Sequence, residues 1–316
     1  MKFLVTGATG FVGGAVCEKL AAQPGCTVVG TSRHRSTHPD TGRALTCVGD
    51  LSSATDWTQP LKGVDIVIHT AARLNVASEK GADSLAEFTK VNFESTVSLA
   101  RQALTAGVKR FIFISTVGVN GSSTKAAPFD EASVPEPAGE YAYSKYEAEQ
   151  GLRALLEGTQ MELVLIRTPL VYAAHAPRNF GRLLELIASG VPLPFALLNN
   201  QRSIVALENL VEFISLCSSH PKASNELFLI SDGVDISTAR MVRTLAESMG
   251  SKTRLLPVPD FLIRLAALLT GKGSMYTTLC ASLRVDSSKA SKLLGWVPVL
   301  TPHQALQLAG RRYKER

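Results

Sequence analysis

The chain has 316 residues, 45% of them hydrophobic and 19% charged, which suits a globular protein with a large core and excludes disorder. Its formal net charge of +6 comes from Lys and Arg spread along the chain, with one basic run at Arg311-Arg312-Tyr313-Lys314-Glu315-Arg316, so nucleic acid is not an expected partner. Five scattered cysteines with no Cys-x-x-Cys pair, and six histidines without ligand spacing, exclude a disulfide framework and a metal site and suit a cytoplasmic protein.

A short apolar run, Phe3 to Val5, lies in a strand expected at 2–6, Gly7, Gly10 and Gly13 follow at three-residue spacing, and a helical pattern covers 11–23. Strand, tight turn and helix in that order give each glycine a task. Gly7 permits the turn, Gly10 lets backbone approach a pyrophosphate, and Gly13 lets the helix pack on the sheet. The helix N-terminus offers free N–H groups to phosphates, so a dinucleotide is expected here. A second strand at 27–31 runs into Ser32-Arg33-His34-Arg35, with no acid before Asp40. A carboxylate at that strand end would accept the ribose 2′-OH of NAD. Its absence, with Arg33 as a charged fork and Ser32 as a donor, favours the 2′-phosphate of NADP, with NAD as the other candidate.

Further strands are expected at 44–48, 65–69, 110–115 and 162–167, and helices at 84–106 and 141–157. Ile66-Val67-Ile68 and Phe111-Ile112-Phe113-Ile114 have no polar alternation, as in strands buried on both faces. The expected fold class is therefore α/β, a Rossmann-type doubly wound parallel sheet. Ser115 and Thr116 put two hydroxyls at a strand C-terminus, where functional side chains collect. Tyr141 and Lys145, four apart, share one helix face. An ammonium beside a phenol favours the phenolate, so Tyr141 is expected to exchange a proton with an alcohol oxygen.

After Thr168-Pro169 prolines cluster and helical patterns replace strands, apart from a strand-like stretch at 226–230. Two domains are expected: a dinucleotide-binding one over 1–170, with returning segments near 203–235, and a smaller, partly interleaved one over 171–316 for substrate. The most lipophilic stretch, 261–269, carries Arg264 and is far shorter than a bilayer span, so no integral membrane segment is expected.

Together, Thr6-Gly7-Ala8-Thr9-Gly10-Phe11-Val12-Gly13, His69-Thr70-Ala71-Ala72, Ser115-Thr116 and the Tyr141/Lys145 pair resemble the extended short-chain dehydrogenase/reductases. The stretches Arg202-Ser203-Ile204-Val205, Ser231-Asp232-Gly233 and Leu294-Gly295-Trp296 resemble its nucleotide-sugar epimerase/reductase branch. The resemblance implies that Gly7, Gly10, Phe11 and Val12 form the pyrophosphate loop, Asp50-Leu51 the adenine edge, and Ala71-Ala72 the backbone along the cofactor. Thr116 would bind the sugar O4, with Ser115 just before it, beside Tyr141 as acid/base, and Lys145 would also hold the nicotinamide ribose. Asn179 and Arg202 would hold the diphosphate of a UDP-sugar. Tyr172-Ala173-Ala174 departs from the family's Tyr-Gly-Pro. Thr277-Thr278-Leu279 stands where a second substrate arginine is usual, leaving Arg284 as a candidate.

The branch implies an enzyme, first a reductase of the 4-keto group of a UDP-4-keto-6-deoxy-N-acetylhexosamine, with a UDP-hexose 4-epimerase (UDP-glucose or UDP-N-acetylglucosamine) as the alternative. A non-catalytic dinucleotide sensor is a third reading, which has no use for Tyr141 and Lys145. A 4,6-dehydratase is rejected, because Val117-Gly118 follows Thr116 in place of that group's Asp-Glu. The branch also implies a homodimer through helices at 85–105 and 141–156, with Leu85, Phe88, Val91, Leu99 and Leu104 as the apolar contacts.

Overall fold

Phe3, Leu4 and Val5 are buried on both faces of strand β1 (Lys2–Thr6), and the strands on either side of it explain why. The computed structural model describes residues 1–35, 37–38, 42, 44–74, 82–271 and 273–316; Asp40 lies outside them. Strands β2 (Thr27–Ser32) and β3 (Thr46–Cys47) lie to one side of β1. To the other lie β4 (Ile66–His69), β5 (Arg110–Thr116) and β6 (Glu162–Thr168). The order β3-β2-β1-β4-β5-β6 is completed at the far edge by β9 (Glu226–Leu229), and every pairing in this sheet is parallel. The chain reverses its direction of winding between β1 and β4, which opens a crevice at the C-terminal strand ends.

Helices α1 (Phe11–Ala21) and α6 (Leu207–Ser219) cover one face over a core containing Phe3, Ile68, Phe213 and Trp296. Helices α3 (Ser95–Thr105) and α4 (Glu140–Leu156) cover the other over Leu4, Val67, Phe111 and Leu152. The helix expected at 84–106 is three pieces. Helix α2 (Ala82–Phe88) and α3 are joined by a π-helical segment, Thr89–Glu94. Leu99 and Phe88 are buried within the chain and Leu104 packs against the same core. Of the apolar contacts expected across a dimer, Leu85 is exposed and Val91 and Leu104 are half-buried, while Leu99 is buried in the core under the sheet and Phe88 is buried against Tyr141.

A separate core holds the small lobe. Its two-stranded parallel sheet, β7 (Leu170–Tyr172) with β8 (Ile204–Ala206), was not expected, since three residues are too few to show a strand period. Helices α5 (Arg178–Ala188), α7 (Thr238–Met249) and α11 (Pro302–Lys314) pack around it through Leu184, Ile204, Leu245 and Leu306. Helix α6 and β9 return the chain to the large sheet. So does a later stretch: Leu283 and Val285 join one core of that sheet, and Leu294 and Trp296 the other. The small lobe is therefore less than the whole of 171–316. Among the described residues no helix is long and apolar enough to cross a membrane, and no His/Cys/Asp/Glu group could hold a metal ion. All five cysteines are free.

Candidate active site

The turn after β1 is tight because glycine is required on both sides of it. Gly7 has φ +69, and a Cβ there would lie 3.0 Å from the Ala71 Cα. A Cβ on Gly13 would lie 2.3 Å from the Gly7 carbonyl oxygen and 2.5 Å from Thr70 Oγ1. Thr70 donates to the Thr6 carbonyl at 2.6 Å, and the Ala71 N–H donates to Thr6 Oγ1 at 3.2 Å, which pins the end of β4 to the turn. Gly10 caps α1 with no side-chain hydrogen bond, and no acid stands in the first turn. The first-turn N–H groups therefore have no local side-chain acceptor, as a pyrophosphate site needs. Phe11, Val12, Ala71 and Ala72 line this corner half-buried. The residues present fit a dinucleotide.

At the end of β2 the expected ribose contacts are differently engaged. Ser32 is buried and donates to the His34 carbonyl at 2.7 Å. Arg33 pairs with Asp50 at 3.1 Å, both largely exposed, so residues expected to serve the 2′-phosphate and the adenine meet each other. An ion pair this exposed is worth at most about 1 kcal/mol and yields readily to a ligand charge. Leu51 packs against the core under β4.

Thr116 ends β5, and its hydroxyl accepts from the Gly118 N–H at 3.1 Å. A Cβ on Gly118 would come within 3.2 Å of Ala142 Cβ, so the strand end and the start of α4 press together. Tyr141 packs edge-on against Phe88, ring centroids 6.2 Å apart. Lys145 is 1% exposed, with its ammonium 3.8 Å from the centre of the Phe113 ring. The pair shares a face, as expected, but among the described residues no hydrogen bond joins phenol and ammonium. Burial dominates both groups. It pushes Tyr141 up to about 12, against the opposing pull of Arg178, and holds Lys145 down to about 7, with Glu149 acting the other way. The expectation of a tyrosine drawn toward neutrality by its lysine is corrected, because desolvation disfavours both charges.

Ser115, the other expected strand-end hydroxyl, donates to Glu149 at 2.5 Å. Glu149 also pairs with Arg167 at 2.6 Å, and Arg167 donates to Asn120 at 3.1 Å. Ser115 is thus committed to a buried network, and Thr116 is the hydroxyl at the cleft. His69 lies between Thr6 (2.7 Å) and Thr96 (2.9 Å) and stacks on Phe113. Burial takes it down to about 3, so it is a neutral hydrogen-bonding wedge under Lys145.

Two residues here were missed from the sequence. Asn92, in the π-helical segment, donates to Ser144 Oγ (3.0 Å) and the Arg73 carbonyl (2.9 Å), and accepts from the Arg73 N–H (2.7 Å). It ties α4, which carries Tyr141 and Lys145, to the loop after β4, and π-turns gather at functional sites for such placements. Arg178, exposed at the start of α5, has φ 63, a left-handed conformation that costs a non-glycine residue about 1 kcal/mol or more. Neither leaves a motif in the sequence.

Arg202 and Asn179 line a small cavity with Phe180, Thr238, Thr278 and Leu279. Arg202 is 7% exposed and donates to the Ala281 carbonyl at 2.7 Å. Among the described residues no carboxylate pairs with it, and burial lowers its pKa. A buried cation without a counter-charge favours an anion beside it. Arg284 instead donates to the carbonyl of Ala126 and to Gln201 and does not line this cavity. Tyr172 donates to Asp232 at 2.7 Å, and Asp232 accepts from the Ala206 N–H and from Asn209, locking the small sheet onto α6.

The chain matches the model of the NAD dependent epimerase/dehydratase family over residues 3–231. It is 41% identical over 314 residues to a UDP-glucose 4-epimerase of Vibrio cholerae, covering 99% of this chain and 95% of that one. It is 27% identical to an N-acetyl-alpha-D-glucosaminyl-diphospho-ditrans,octacis-undecaprenol 4-epimerase of Escherichia coli O157:H7, covering 96% and 92%. Among solved structures it shares its fold with UDP-glucose 4-epimerase of Thermotoga maritima, with a TM-score of 0.77, 24% identity, and coverage of 100% and 99%.

Proposed function

We propose, for a chain that belongs to the NAD dependent epimerase/dehydratase family of extended short-chain dehydrogenase/reductases, that it is a UDP-hexose 4-epimerase. The observation that carries this reading is the 41% identity to a UDP-glucose 4-epimerase along nearly the whole of both chains. A 4-ketoreductase would use the same Thr116, Tyr141 and Lys145, and the relative favours the epimerase over it. A sensor would have no use for those three residues.

When bound, the dinucleotide supplies an acceptor and donor for the hydride at the sugar C4. The chain's own residues do the rest. Arg202 and Asn179 hold the diphosphate, with Arg202 offering a two-pronged donor in a dry wall. Thr116 donates to O4, and Tyr141 takes the O4 proton and gives it back. Lys145, one turn along the same helix, is, when protonated, the cation that offsets the phenolate. Asn92 positions α4 against the Arg73 loop, and Arg178 adds positive charge at the mouth near Tyr141.

Both forms of cofactor are proposed to bind. The end of β2 has no carboxylate to repel a 2′-phosphate, and Arg33 can leave Asp50 for it. Arg33→Ala should weaken NADPH about tenfold and leave NADH unchanged; equal loss of both would remove this part of the reading. A homodimer through the outer faces of α2 and α4, where Leu85 and Tyr143 are exposed, is proposed with it and is checked by light scattering.

The deciding experiment incubates the protein with UDP-glucose and with UDP-N-acetylglucosamine without added reductant and follows C4 by NMR. Appearance of the 4-epimer supports the proposal. No conversion, together with NADPH consumption on a UDP-4-keto sugar, would make the protein a reductase.

A further inference from the structure

We propose that helix α8 (Asp260–Leu269) docks the protein onto an anionic phospholipid surface. This helix has no buried residue. Phe261, Leu262, Leu265, Leu268 and Leu269 are all exposed, the last two by 74% and 78%. Their spacing of three and four places them along one side of the helix. Ile263, half-buried, turns inward to the small-lobe core. The apolar surface continues past the helix. The Ala196 N–H donates to the Leu256 carbonyl at 3.1 Å, bringing Leu197, 56% exposed, beside Leu256, 45% exposed. A patch of this kind on a polar protein marks an interaction surface.

Charge identifies the partner. Between Arg240 and Lys272 six basic residues stand against two acidic ones, Glu247 and Asp260, so about a tenth of the chain carries four of its six net positive charges. Arg240, Arg243, Lys252, Arg254 and Arg264 are exposed; Lys272 lies outside the described residues. Asp260 is engaged by the Tyr276 hydroxyl at 2.7 Å. Large apolar side chains on one side of a short helix that itself carries Arg264, within a stretch of chain with net positive charge, fit the boundary between headgroups and acyl chains of an anionic bilayer. They fit a second copy of this chain poorly, because a two-fold contact would set the same positive charges against each other.

The position of α8 gives the docking a consequence. Helix α9 (Gly273–Cys280) packs against α8 through Tyr276 and Asp260, and its Thr278 and Leu279 wall the cavity that holds Arg202. Docking through α8 therefore holds the proposed diphosphate site one helix away from the lipid headgroups. This inference stands apart from which sugar is turned over.

The test is sedimentation of the full chain with vesicles of phosphatidylcholine alone or mixed with phosphatidylglycerol. Binding should be about tenfold stronger to the anionic vesicles and should weaken with added salt. Leu265→Glu/Leu268→Glu should lose about tenfold in vesicle binding, with cofactor binding and melting temperature kept. If the double variant fails to fold, Leu268→Glu alone, at a largely exposed position, serves the same purpose. Absence of binding to anionic vesicles at low salt overturns the proposal, as does binding that the substitutions leave unchanged. A variant that only turns an oligomer into a monomer would mean that a second copy covers this face.

Discussion

Around the Gly7–Gly13 turn the chain presents backbone, whereas across the cleft the small lobe presents side chains: Arg202, Asn179 and Arg178. On the first side a methyl group is enough to destroy the geometry, since a Cβ on Gly13 meets the Gly7 carbonyl oxygen at 2.3 Å. On the second side the constraint is charge, with Arg202 held in the wall by backbone carbonyls and paired with no described carboxylate. In the proposed reading the cofactor half is thus rigid by sterics, and the substrate half is selective by electrostatics. Substitutions on the two sides should fail in different ways.

Between the two halves stands Tyr141, where the largest effect is expected. Tyr141→Phe keeps the ring that packs on Phe88, so folding should be retained while turnover falls by about a hundredfold or more. Full activity in this variant would remove the proton-transfer role. Next comes a direct contrast. Gly13→Ala should abolish dinucleotide binding and cost about 2 kcal/mol in urea unfolding, as overpacking does. Arg202→Ala should raise KM for the UDP-sugar about tenfold while cofactor affinity holds, as loss of a charged clamp does. If Arg202→Ala also lost cofactor, the division between the halves would fail.

Lys145 sharpens the contrast through pH. Its ordinary value of 10.5 falls to about 7 in the fold, so between those values the unfolded chain binds more protons than the folded one. Stability should therefore rise with pH across that window. Lys145→Met should flatten this rise, unfold at higher temperature at neutral pH and lose turnover, which melts at pH 7 and 9 with parallel assays would register. The smallest effect is expected at Arg178. Arg178→Gly relieves the left-handed backbone and should stabilise the protein by about 1 kcal/mol while raising KM a few-fold. An unchanged KM would leave its charge without a part in substrate binding.

Expected strands and observed strands agree closely in the large sheet, and the reason is physical. Runs such as Phe111-Ile112-Phe113 are buried on both faces and carry their burial in every residue. The small sheet β7–β8 carries no comparable signal, because three-residue strands exist only through pairing with each other. The same distinction runs through the site. Gly7, Gly10 and Gly13 were legible because local backbone chemistry demands them, and Tyr141 and Lys145 because helical spacing places both on one face. Arg202 is set in place by bridges to Ile236 and Leu283, far away in the chain. Asn92 reaches Arg73 because it stands in a π-helical segment, and Arg178 stands in a left-handed conformation where α5 begins. Ser115 looked like Thr116 until Glu149 and Arg167 were brought around it.

The sequence by itself determined the glycine turn, the parallel sheet and the placing of Tyr141 and Lys145 on one helix face. Each depends on neighbours within about one turn of helix or one strand, where spacing alone fixes geometry. Only the tertiary structure decided the electrostatics. Desolvation, not the tyrosine–lysine pairing, sets both pKa values, and burial is a property of everything packed around a group, which no local pattern encodes.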